Sequence, residues 1–126
     1  MALGASAVQI GTAYLFSPEA NVSALHRAAL DAADDQSTAL TNLFTGRPAR
    51  GVMNRIMREI GPLSPDAPSF PLAGGALAPL RAEAEAEGSD AFSNLWSGQA
   101  ARLARHLPAG ELTRRLAAET LEKLTR

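Results

Sequence analysis

Side chains that could do chemistry are sparse in this sequence, and their spacing limits what they could do. There is no cysteine, which removes a thiolate nucleophile, a cysteine metal site and a disulfide framework. The two histidines, His26 and His106, stand far apart and form no zinc pattern. His26 falls early in a predicted helix with no carboxylate placed nearby in sequence to orient it. It therefore reads as a hydrogen-bonded or partly exposed histidine rather than a catalytic base. No P-loop, HExxH pair, nucleophile triad or paired-carboxylate arrangement occurs. No catalytic residue and no metal ligand is assigned.

Two stretches remain as candidates for binding. The first is Ala7-Val8-Gln9-Ile10-Gly11-Thr12, a short apolar run with a β-branched centre that ends in a Gly-Thr pair. A buried parallel strand has this look where it ends beside a ligand. Gly11 would let a backbone amide come close to a bulky anion with no Cβ in the way, and Thr12 adds a hydroxyl. A buried strand followed by an ordinary turn fits the same residues. The second is a run of arginines, Arg47, Arg50, Arg55 and Arg58. It could grip phosphate, or it could be a solvated face with intramolecular ion pairs.

These candidates must be held by a chain of 126 residues, enough for one domain. Apolar residues make up 46% and charged residues 20%, the balance of a soluble globular protein. A net charge of −1 argues against a surface built for nucleic acid or anionic membrane. No apolar run reaches the roughly 18–20 residues that span a bilayer. No basic n-region with a cleavage site opens the chain, so a cytoplasmic location is the expectation.

The elements read in order as follows. Met1–Ala5 resembles the last turn of a helix capped by Gly4, and Ala7–Gly11 is the strand. Ser23 caps a helix running to about Asp34, with Leu25, Ala29, Ala32 and Ala33 inward. Residues 38–44 alternate and carry threonines, as a short half-buried strand or extended segment does. Ala49, Val52, Met53, Ile56, Met57 and Ile60 have helical spacing, predicting a helix over 49–60. Residues 61–75 hold Pro62, Pro65, Pro68 and Pro71 and predict a loop. A helix over 76–87 follows, with Pro79 in its first turn. Another begins at Gly88-Ser89-Asp90, with Phe92, Leu95, Trp96, Ala100, Leu103 and Leu107 on one stripe. There Trp96 is read as core and Gly98 as a mid-helix glycine. The last helix spans Glu111 to about Leu124, with Leu112, Leu116, Leu121 and Leu124 inside.

Three segments together resemble a known family. They are Gly4 to Leu15, then Leu25-His26-Arg27-Ala28-Ala29-Leu30, then Thr38 to Gly51 with its Thr45-Gly46-Arg47-Pro48-Ala49-Arg50-Gly51 run. Pro79-Leu80-Arg81 and Leu95-Trp96-Ser97-Gly98-Gln99 fit the same pattern. The sequence is similar to the C-terminal part of bacterial nitronate monooxygenases, formerly 2-nitropropane dioxygenases. The resemblance implies an α/β fold, an FMN-binding TIM barrel, of which this chain is a C-terminal piece. Residues 1–36 would be the last barrel strand and its helix, and 37–126 a mainly helical extension. A complete barrel takes eight strands and about 250 residues. The resemblance also implies oxidation of alkyl nitronates by O2 to a carbonyl compound and nitrite, with FMN as cofactor. Its phosphate would be held at Gln9, Ile10, Gly11 and Thr12. The family's catalytic histidine belongs to a motif that neither His26 nor His106 matches, so the chain alone is expected to be inactive. Neither nucleic acid nor membrane is an expected partner, and no oligomeric state follows. One alternative is a fragment of the related flavin-dependent enoyl-acyl-carrier-protein reductases. Another is a non-enzymatic helical module that offers the arginines to an acidic partner.

Overall fold

The computed structural model describes residues 4–125 and shows a mainly helical chain with one small sheet. The elements are α1 (Thr12–Leu15), α2 (Ala24–Ala32), β1 (Thr38–Thr41), β2 (Ala49–Val52), α3 (Arg55–Ile60), α4 (Ala73–Ala86), a 3-10 turn (Ala101–Leu103) and α5 (Ala109–Leu124). Two compact units make up the chain. One is Met1–Val22 with Leu103–Arg126, the other Ser23–Arg102.

Ser23 starts α2 as expected, its hydroxyl accepting the His26 amide at 3.2 Å. Leu30 is the fully buried residue of this helix, and Ala33 behind it is buried too. Threonines at 38 and 41 suit β1, which pairs antiparallel with β2 in the register Thr38↔Val52 to Thr41↔Ala49.

The helix expected over 49–60 is instead a strand followed by a helix. Ala49-Arg50-Gly51-Val52 belongs to the sheet, and helical geometry begins only at Arg55. The apolar spacing fits a helical period, but backbone partners distant in sequence decide over residues 49–52. Cross-strand pairing takes one side of β2, while a segment near Trp96 takes the other. The Val52 amide donates to the Leu95 carbonyl at 2.8 Å, and the Ser97 amide donates to Arg50 at 3.2 Å. Gly51 forms an antiparallel bridge to Trp96, and a Cβ on Gly51 would stand 2.9 Å from the Leu95 carbonyl oxygen.

That same pairing overturns the helix expected after Gly88. Residues 89–100 run irregular and extended up to the 3-10 turn at Ala101–Leu103. Asn54 holds the segment by donating its side-chain amide to the carbonyls of Asp90 (3.0 Å) and Ser93 (2.8 Å). Gly98 is thus not a mid-helix glycine. Trp96 is half-buried and packs edge-on against Phe44, with ring centroids 5.8 Å apart.

The loop expected over 61–75 ends earlier, because α4 starts at Ala73. Pro79 then lies inside the helix rather than in its first turn. The carbonyl that loses its donor belongs to Gly75, which is exposed and reachable by water. The core of this unit gathers Leu43, Phe44, Ile56 and Met57, with Ala39, Met53, Ala67, Leu77, Phe92 and Trp96 packed on it.

In the other unit the expected opening strand is absent, and residues 7–11 carry no regular structure. A strand needs a neighbour to satisfy its amides and carbonyls, and the sheet present here consists of β1 and β2. Val8 is 65% exposed accordingly. The helix end expected over residues 1–5 lies largely outside the described residues. In α5, Leu112 is buried, but Leu121 and Leu124 are exposed rather than inside. No helix among the described residues is long and apolar enough to cross a membrane.

Candidate functional site

Gln9, Ile10, Gly11 and Thr12 lie together on an accessible stretch that turns into α1. The first three are exposed and Thr12 is half-buried. Gly11 caps α1 with φ −112° and ψ −63°, a conformation open to any residue, and its carbonyl accepts the Tyr14 amide at 3.0 Å. An added Cβ there meets nothing within 4 Å. Nothing within the chain therefore demands glycine at position 11. From Gly4 to Val22 there is no lysine or arginine. An anion at this turn would be met by backbone N–H groups and a hydroxyl, without a cationic side chain from the same stretch.

Both histidines are occupied by structure. The His26 Nε2–H donates to the Trp96 carbonyl at 2.9 Å, the hydrogen-bonded role expected for it. His106 stands edge-on to Phe16, with ring centroids 5.2 Å apart. Among the described residues no group of three or more His, Cys, Asp or Glu side chains could hold a metal ion.

The arginines do not converge. Arg47 lies over the Phe70 ring at 4.3 Å. Arg50 donates to the carbonyl and hydroxyl oxygens of Thr38 at 3.2 and 3.1 Å. Arg55 pairs with Glu59 one turn on at 2.7 Å, and Arg58 donates to the Met53 carbonyl at 3.1 Å. Each has a different intramolecular partner, as the ion-paired alternative expects.

Two surface clusters shift the ionisation of their carboxyls. The Ser37 hydroxyl, then the Gln36 amide, hold the Asp34 carboxyl below its usual value. Arg105 does the same for Glu119, mainly by hydrogen bonding, and is itself raised. A cavity of about 420 Å³ lies in the 23–102 unit between Ala29 of α2, Ala33 just past its end, Val52 and Met53, and the side chains of Arg58 and Asp90, and no sequence signal marks it. These segments are too far apart in the chain for any local pattern to have announced it.

Comparison with known proteins places the chain in a class. Residues 1–119 match the family described as nitronate monooxygenase, and the chain belongs to that family of flavin-dependent oxidoreductases. The chain is 44% identical over 118 residues to the nitronate monooxygenase of Pseudomonas aeruginosa, covering 93% of this chain and 34% of that protein. It is 35% identical over 126 residues to a probable nitronate monooxygenase of Staphylococcus saprophyticus, covering 100% of this chain and 36% of the relative. Among solved structures, nitroalkane oxidase from Streptomyces ansochromogenes matches with a TM-score of 0.82 and 44% identity, over 98% of this chain and 35% of that one. FabK from Thermotoga maritima matches at 0.66 and 27%, over 98% and 40%. The chain thus spans about a third of the length of the relatives it matches.

Proposed function

We propose that this chain is the C-terminal portion of an FMN-dependent nitronate monooxygenase that oxidises alkyl nitronates with O2 to a carbonyl compound and nitrite. Residues 1–36 would complete the last strand and helix of the barrel, and 37–126 would form the extension. The observation that carries the site is the turn at residues 9–12. It is accessible, it has open space where a Gly11 side chain would stand, and it belongs to a chain of a flavoenzyme family. The residues fit a phosphate group. Amides at Gly11 and Thr12 and the Thr12 hydroxyl offer donors, and Gln9 and Ile10 lead the backbone to them. With no cation on this stretch, the phosphate charge would be balanced by groups outside it. FMN, when bound, supplies the redox chemistry, and this chain's part is to hold and orient it. The absent strand at 7–11 is consistent with this reading, since apolar residues such as Val8 and Ile10 pair only when neighbouring strands are supplied.

FabK favours a second reading, a flavin-dependent enoyl-acyl-carrier-protein reductase. Its lower TM-score and identity rank it behind the first. A chimera decides between them: the Pseudomonas relative with its matching segment replaced by this chain. The proposal expects bound FMN and oxygen-dependent nitrite release from a nitronate, without consumption of a nicotinamide cofactor. A folded, flavin-bearing chimera that oxidises a nicotinamide cofactor and reduces an enoyl thioester instead would overturn it. In the same chimera Gly11→Val should lose most of its flavin, by about 10–150-fold in affinity, since a charge-assisted hydrogen bond is worth roughly 1.5–3 kcal/mol. Thr12→Ala, giving up only a hydroxyl, should lose less. The chain by itself, given FMN, a nitronate and oxygen, should release no nitrite above the uncatalysed rate.

A further inference from the structure

The turn at residues 9–12 leads into a helix of four residues, Thr12–Leu15, with no side-chain cap. One turn of helix is not stable by itself, because nucleation costs more than a single turn returns. Its geometry must be imposed from elsewhere, and three contacts reach this region from residues 106–113. The Tyr14 hydroxyl lies 2.8 Å from Thr113 Oγ1, across 99 residues of sequence. Thr113 gives its own proton to the Ala109 carbonyl at 2.8 Å, so Tyr14 is the donor in the first bond. Phe16, buried at the end of α1, stands edge-on to His106. Glu19 takes the Ala109 amide on both carboxylate oxygens, at 3.0 and 3.2 Å. That bond caps α5, whose own N-cap residue Pro108 offers no side-chain acceptor.

We infer that α5 is a positioning element for the phosphate turn, acting through the Tyr14–Thr113 hydrogen bond. This rests on the proposed FMN site and names residues that serve it without touching the cofactor. The bond joins the two ends of the described chain within one unit and ties down the residue two places after Thr12. With the bond in place, the Gly11 and Thr12 amides are held in one orientation before the phosphate arrives. Without it, the ligand must first order the turn, and affinity falls by that cost. Tyr14 and Thr113 are therefore positioning residues, and the closing helix has a share in cofactor affinity.

The test uses the chimera described above, stripped of flavin and titrated with FMN by fluorescence quenching, with thermal unfolding of each apo-protein alongside. Tyr14→Phe and Thr113→Val should each raise the FMN dissociation constant about two- to tenfold, the range one neutral hydrogen bond commands. The double variant should be no weaker than the worse single one, because both remove the same bond. Thr113→Ser keeps the hydroxyl and should bind FMN as the parent does. Arg115→Ala, on the same helix but paired with Glu111, should also leave affinity alone. A lowered apo-protein melting temperature with unchanged FMN affinity would make the bond structural only and overturn the inference. Unchanged affinity in all these variants would do so as well, while the site itself stood if Gly11→Val had lost its flavin. Full flavin retention in Gly11→Val would remove the site, and the positioning role with it.

Discussion

The two compact units treat their apolar residues differently. In the 23–102 unit, Leu30, Leu43, Phe44, Ile56, Met57 and Leu95 are buried. Its polar side chains are knitted in with them. Asn42 donates to the Ser64 carbonyl at 2.8 Å and accepts the Ser64 amide at 3.0 Å, closing the proline-rich loop onto the sheet. In the other unit Phe16 and Leu112 are buried, while Val8, Ile10, Leu121 and Leu124 face outward. An apolar groove runs there between Ile10, Tyr14 and the Leu116, Leu121 and Leu124 side of α5. The 23–102 unit has a defined buried core, although Leu40, Ile60, Leu63, Phe70, Leu72 and Leu80 stay exposed around it. The other carries a pattern written for burial that these residues do not themselves supply.

Substitutions can break or sharpen this contrast. The largest effect should fall at Gly46, where φ is +85° and an added Cβ would lie 2.4 Å from the Phe70 amide nitrogen and 2.5 Å from the Pro68 carbonyl oxygen. Backbone cannot retreat as a flexible side chain does, so Gly46→Ala should cost about 4–5 kcal/mol in urea unfolding. A loss under about 1 kcal/mol would mean that the proline-rich loop moves freely over the hairpin turn. Next, Met57→Ala, at a residue with no exposed surface, should cost about 2–5 kcal/mol. Leu124→Ala, half exposed at 51%, should stay within about 0.5 kcal/mol in the chain alone. Equal costs at these two leucine-sized sites would erase the distinction between the units.

The smallest effect is electrostatic. The Asp34 carboxyl lies below its ordinary value of 3.8 because the ionised form accepts the Ser37 hydroxyl and the Gln36 amide. A depressed carboxyl contributes stability above its unfolded value, and that contribution fades as pH falls through the folded one. Ser37→Ala removes the larger cause and should move the Asp34 titration, followed by carboxyl-carbon NMR, up toward 3.8. An unmoved titration would place the cause elsewhere.

What could be read from the residues was local. Ser23 announced α2 because a cap needs only the amide three residues on, and α5 was legible from its own leucine spacing and charge order. Thr38 to Thr41 read as extended through β-branching and alternation. The two helices wrongly expected over 49–54 and 89–100 share one origin. Val52, Met53 and Ile56 satisfy a helical period, as do Phe92, Leu95 and Trp96, but residues 50–52 pair their backbone with residues 95–97, more than 40 residues away. A periodicity window cannot see that the Val52 amide will find Leu95. The site proposed at residues 9–12 rests on a glycine and a hydroxyl at the start of α1, which the sequence displays directly. Its brace was not legible, because Tyr14 and Thr113 sit at opposite ends of the chain and carry no motif in common.

The bridge between Gly51 and Trp96 has a further consequence, for association. A two-stranded hairpin offers two rows of unpaired backbone groups, and such rows recruit strands from other molecules. Here residues 95–97 lie along the outer side of β2 and occupy its row, while β1 ends at the fully buried Thr41. Peeling residues 95–97 away would uncover the unpaired row of β2, and this is the row that the Leu95–Ser97 segment keeps from other strands.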